Sequence, residues 1–290
     1  MKKGVSDYGF FDVSSHTQAA FRTQTTDSES RGRTEKALDG LFQLGRLLLA
    51  AAMAVFGTGY CIYASSLHWP VPGPPWTPGG HVSAAIAGVV LIAIGLSLAS
   101  EVKARLAATV LGLLLILRVL FLHLPELLGA VRNPDKWTGA AEVLAMGGAA
   151  LVLAGGLKEW PDFAGWSSGT AVKIGRYLFA LPLFIFGTQH FMYGPFIAGL
   201  VPRWIPGQLF WAYFVGAAFI AAGISITTGK KSSLAATLLG SMFLLWVLIL
   251  HLPRVIAAPH NGNEWTSGFV ALAMSGCAFI FAGAGRRDRA

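Results

Sequence analysis

The stretch "LFLHLPELLGAVRNPDKWT" occupies residues 120–138, and "LILHLPRVIAAPHNGNEWT" occupies 248–266. The two agree at nine of nineteen positions in register, including a histidine set into an apolar run both times. A match of this length at a spacing of 128 residues marks an internal repeat, which constrains the whole fold. It extends in both directions. "LAATVLG" (106–112) matches "LAATLLG" (234–240), and "PPWTPG" (74–79) matches "PRWIPG" (202–207). Further upstream, at an offset of 130, "GRLLLAAAMAVFGT" (45–58) matches "GRYLFALPLFIFGT" (175–188).

Composition says what is repeated. With 54% hydrophobic and 12% charged residues and a mean hydropathy of +0.59, the chain is too apolar for a soluble domain of this size. Eight apolar segments of spanning length follow one another, at residues 41–64, 83–99, 106–124, 138–157, 177–197, 209–227, 234–252 and 266–284. Each suffices for a hydrocarbon core, which takes about 20 helical residues. Backbone groups in lipid must be satisfied within the segment, and the alternation of a membrane barrel is absent, so these segments are predicted helices. The fold class is an all-α membrane protein. Four helices make one unit, and because four is even, both units enter the membrane in the same sense. The eight helices are therefore expected as two parallel tandem repeats of a four-helix bundle, at residues 41–157 and 174–285, related by an axis along the membrane normal.

Residues 1–40 are polar and rich in Ser, Thr and charge, which predicts a disordered tail. No short apolar stretch with a small-residue cleavage site opens the sequence, so the first span is expected to act as its own insertion signal. Lysine and arginine set the orientation. Seventeen of the 22 fall on the side of the N-terminus and four on the other, with Arg118 inside a span. That asymmetry predicts an integral protein of the cell membrane with both termini cytoplasmic and residues 158–173 as a cytoplasmic linker, Trp160 and Trp166 lying at its interface. The formal charge of +8 then reflects the positive-inside signal and attraction to anionic membrane lipid. No basic stripe interleaved with exposed aromatics points to a nucleic acid. Cys61 and Cys277 fall within spans, at non-equivalent repeat positions, and read as small hydrophobes.

The motifs "GRYLFALPLFIFGTQHF", "PRWIPG" followed by "FWAYFVGAAFIAAG", and "LHLP" resemble the DoxX-like family of small integral membrane proteins. The resemblance covers each half. It implies a four-helix membrane unit and, in some relatives, association with quinone-linked respiratory oxidoreductases. It carries over no catalytic residue, and the fusion of two units departs from the usual single bundle.

Ionisable residues inside spans cost about 2.5 to 3.5 kcal/mol each and mark the candidate site. His123 and His251 precede "LP" near the ends of helices 3 and 7. Two roles fit them: interfacial side chains that satisfy loop carbonyls where Pro125 and Pro253 end the helices, or symmetry-related ligands of a polar head group, a quinone carbonyl or a proton. Arg118 and Glu142 lie at matching depth in helices 3 and 4, whereas their repeat equivalents are Trp246 and Val270. They read as a structural ion pair or as the charged wall of an outward-open pocket. Gln189 and His190, opposite Gly59 and Tyr60 in the first copy, read as interhelical hydrogen bonding or as ligand contacts. Arg46 and Arg176, at the start of helices 1 and 5, are placed to snorkel to phosphates. Histidines are numerous toward the non-cytoplasmic side, but no H-x-x-x-H or carboxylate cluster gives metal-ligand spacing. No nucleophile–base pair or phosphate-cradling loop appears either. The sequence thus favours a quinone- or lipid-binding subunit supporting a redox partner in the membrane, with quinone the candidate cofactor. A small-solute transporter or channel and a purely structural membrane protein are the alternatives.

Overall fold

The structure is a computed structural model that describes residues 13–66, 80–157 and 168–284. Every regular element among them is helical. Eight helices are long and apolar enough to cross a membrane. In chain order they are α1 (Val13–Ser66), α2 (Gly80–Ser100), α3 (Ala104–Gly129), α4 (Pro134–Gly156), α5 (Ser168–Met192), α6 (Gln208–Thr228), α7 (Ser232–Ala257) and α8 (Gly262–Ala284). The "PPWTPG" motif, Trp160, Trp166 and the linker as far as residue 167 lie outside the described residues.

Hydropathy places the helices, but it misplaces several ends. The chain is already helical from Val13, where polar composition predicts a disordered tail to residue 40. No proline interrupts that stretch, and its Ala, Gln, Glu, Lys and Arg are good helix formers. Likewise α5 starts at Ser168, inside the expected linker, and ends at Met192 just before a short helix at Gly194–Ala198. Helices α3 and α7 do not stop at "HLP". Each passes through one π-helical turn, Val119–His123 and Val247–His251, and resumes as an α-helix for six residues. The Leu124 N–H reaches back five residues to the Val119 carbonyl, and Leu252 does the same to Val247. The widened turn shifts the hydrogen-bond register so that the proline, which has no N–H to give, enters near the start of a fresh α-helical segment.

Helices adjacent in sequence pack side by side, and two further contacts join the halves: α1 packs against α8, and α4 against α8. Each half therefore does not close on itself as the separate bundles of the sequence reading would. The walls around the first half come from α1, α2, α3, α4 and α8, and those around the second from α4 to α8. Helices α4 and α8 are the shared centre, with Ala145–Ala154 and Ala273–Ala284 almost wholly buried. Two backbone-to-backbone approaches fix the seams. At α4–α5 Gly148 faces Gly175, and at α1–α8 Gly45 faces Gly276. A Cβ on Gly45 would lie 2.5 Å from the Gly276 carbonyl, so only glycine admits this crossing.

At the ends of the array opposite the "HLP" stretches, Arg46 is only 4% exposed, and it does not snorkel. Its guanidinium donates to the carbonyls of Leu98 and Ala99, which end α2, and to Gln43 and Glu101. The charge is used to satisfy carbonyls that a helix terminus leaves without partners. Glu101 adopts a left-handed φ of 64°, and the residue 128 positions later, Gly229, has φ 74°.

Candidate functional site

The first half carries polar side chains on three of its helices, two of which meet. Arg118, at the end of the regular part of α3, donates from Nη1 to the Tyr60 hydroxyl of α1 at 3.0 Å. Glu142 stands on α4, which packs against α3. It is surrounded by protein, yet its surface is not fully covered. No ion pair joins Arg118 to Glu142. The expected pairing rested on equal depth, but depth fixes position along the helix and says nothing of rotation about it. The Glu142 carboxyl makes no hydrogen bond or ion pair among the described residues.

His123 closes the π-turn of α3, about 7.5 Å along the axis from Arg118. Arg118, Glu126 and Lys136 all lie near enough to act on its ring electrostatically. Glu126 is itself engaged by Lys136, whose Nζ donates to Oε2 at 2.8 Å. The His123 Nε2 is buried and has no hydrogen-bond partner, and the same is true of Nδ1 of His251 in α7. The interfacial role, in which these rings satisfy loop carbonyls at the end of a helix, therefore fails at those nitrogens. The helix has not ended, and the backbone continues through the proline as a further α-helical segment.

The second half is filled differently. His190 donates from Nδ1 to the Phe186 carbonyl at 2.8 Å and sets its ring against Phe219, with centroids 5.2 Å apart. Phe219 also meets Phe186, Phe243 and Trp246. The positions held by Tyr60, Arg118 and Glu142 in the first half are thus His190, Trp246 and Val270 in the second, where aromatic rings occupy the space. Gln189 faces the other way, into the α4–α5 seam. Its Oε1 accepts from Thr138 at 3.0 Å, and its Nε2 donates to the Pro134 carbonyl at 3.0 Å. This is an interhelical clip. The six residues singled out in the sequence do not form one site: Arg118, His123 and Glu142 belong to the first half, His190 and His251 to the second, and Gln189 to the seam.

Tyr60 is the member that reading the sequence misses. Its signal lies in the alignment, where it stands opposite His190, so both copies carry a hydrogen-bonding ring at that position of their first helix. Among the described residues no cluster of three or more His, Cys, Asp or Glu converges as a metal ion requires. Cys61 and Cys277 are free thiols, the latter buried. No family model, curated protein or solved structure matches the chain.

Proposed function

We propose that this chain is a non-catalytic integral membrane subunit of the DoxX-like kind, built from two parallel tandem four-helix units. Its first half holds the polar head of a quinone or a lipid, in support of a redox partner in the same membrane. Both termini lie in the cytoplasm. The tandem arrangement is supported by hydrogen bonds that recur 128 residues apart. Ser97 donates to Val102 O and Ser225 to Lys230 O. Trp137 donates to Val131 O and Trp265 to Pro259 O. Asn133 accepts from the Asp135 N–H, and Asn261 from that of Asn263.

The observation that carries the binding role is that His123 Nε2 and the Glu142 carboxyl both lie without partners in the half that contains the Arg118–Tyr60 bond. Polar groups left unsatisfied within membrane spans cost free energy, and a ligand whose polar head offers hydroxyl donors as well as carbonyl or phosphate oxygens, on an apolar body, would recover it. Arginine and tyrosine offer donors to such oxygens, and histidine can accept or donate according to its tautomer. The second half lacks both charges and has rings in their place.

The test is extraction and chromatography of quinones and lipids from protein purified out of its native membrane. Wild type is expected to carry one such molecule per chain whose retention depends on Tyr60 and Glu142. Tyr60→Phe and Glu142→Gln, which keep shape, should retain markedly less. A wild type with no bound quinone or lipid, or variants that retain as much as wild type, would refute the proposal.

A further inference from the structure

A separate recess opens at the seam of α4 and α5, at the "HLP" end of the array. It is a cleft of about 540 Å³ walled by Trp137 of α4, by Phe184, Ile185 and Met192 of α5, and by Arg132 in the preceding loop. That volume lies within the ~300–1,000 Å³ of small-molecule pockets. The Gln189 amide forms part of the wall but is already engaged on both sides by Thr138 and Pro134. Arg132 is exposed and makes no hydrogen bond or ion pair among the described residues. The nearby acid on α3, Glu126, belongs to Lys136. Asp135, exposed in the first turn of α4, is not paired with Arg132 either.

Depth decides what such a cleft can hold. Arg132 lies just before α4 begins at Pro134, and Met192 is the last residue of α5, so the mouth is level with the ends of both spans. From there the apolar wall runs inward to Phe184, about 12 Å along the helix at 1.5 Å per residue. A guanidinium at the hydrocarbon boundary above an apolar trough is complementary to a phosphate diester attached to an acyl chain. We infer that this cleft binds one anionic phospholipid, with its phosphate on Arg132 and an acyl chain between α4 and α5. The inference rests on the spans alone and is independent of the quinone or lipid site around Arg118. At the α8–α1 seam the positions of Arg132 and Gln189 are held by His260 and Gly59, so one lipid per chain is expected.

Native mass spectrometry of the delipidated full chain, titrated with phosphatidylglycerol or phosphatidylcholine, tests this. Wild type should retain a single phosphatidylglycerol in preference to phosphatidylcholine. Arg132→Gln should weaken that retention about tenfold or more, the loss expected for one charge-assisted contact. Thr188→Trp, which fills the cleft from an exposed position, should weaken retention of both lipids. Arg203→Gln, also exposed but outside the cleft, should behave as wild type, and glycerol 3-phosphate should not displace the lipid. Equal retention of the two lipids by wild type, unchanged retention in Arg132→Gln, or displacement by glycerol 3-phosphate would overturn the inference.

Discussion

Replacing Gly175 by alanine inserts one methyl group into the α4–α5 seam, and its cost follows from what that group would touch. The new Cβ would press on the Gly148 carbonyl oxygen and lie 2.8 Å from Val152 Cγ2. The reciprocal substitution at Gly148 meets Gly175 O at 2.7 Å and Phe179 N at 2.8 Å. Ordinary contacts begin near 3.4 Å, so clearing Val152 Cγ2 alone takes roughly 0.6 Å of separation along the seam, and clearing the Gly148 oxygen takes more. The nearest obstructing atom is a backbone oxygen, which cannot rotate aside. Overpacking of this kind costs about 1 to 3 kcal/mol. The higher helix propensity of alanine returns up to about 1 kcal/mol. A net loss near 1 to 2 kcal/mol corresponds to a fall in melting temperature of several degrees for a chain of this size. Gly40 is the internal control, since a Cβ there meets nothing within 4 Å. Thermal unfolding in detergent should therefore show Gly175→Ala below wild type and Gly40→Ala equal to or above it. If Gly175→Ala melts at or above wild type while Gly40→Ala shows the propensity gain, the seam is not held by this contact.

The other expectations concern single side chains. Arg46→Met removes the donor to two carbonyls at the end of α2 and should cost about 2 to 4 kcal/mol. Glu101→Gln, at an exposed partner, should cost no more than about 1 kcal/mol; equal melting temperatures for the two would contradict the capping role. Glu101→Gly should exceed Glu101→Ala in stability by about 1 kcal/mol, because both lose the ion pair and only glycine relieves the positive φ. In double-mutant cycles read by thermal unfolding, Arg118→Leu with Glu142→Gln should be additive within about 0.5 kcal/mol. Arg118→Leu with Tyr60→Phe should show coupling beyond that margin, and the reverse pattern would restore the ion pair of the sequence reading. Thiol labelling from outside the cell should reach His260→Cys and leave Lys230→Cys unlabelled, the opposite result inverting the orientation.

Eight helices were legible because hydropathy integrates over about twenty residues and tolerates local irregularity. Their ends were not, since they depend on particular hydrogen bonds. Pro125 reads as a terminator until the bond from Leu124 to Val119 is seen to carry the chain past it. The polar residues were legible as anomalies in apolar runs, and Arg118, His123 and Glu142 stand on α3 and α4. Their partners were not legible. The Arg118–Tyr60 bond joins residues 58 apart on different helices, and the rotation of each helix about its axis is set by packing that no periodicity in these nearly all-apolar spans reveals. Gln189 was visible as a polar intrusion, but its partners, a threonine and a carbonyl on α4, carry no signal of their own. Arg46 reads as a lipid anchor because its position near a helix start suits snorkelling; the nearby C-terminus of α2, whose carbonyls it meets, is a tertiary fact.

The sharing of α4 and α8 between the halves bears on how such a chain could have diversified. A single four-helix unit would carry two glycine-lined edges, one on its first helix and one on its last, and two identical units would satisfy both by pairing head to tail around a two-fold axis. In that homodimer any new side chain appears twice, so an arginine introduced for one purpose would also be imposed where an aromatic filling is needed. Joining the proposed units in one polypeptide would lift that obligation. The same seams would then hold together two interiors free to differ, one with charge and the other packed with rings.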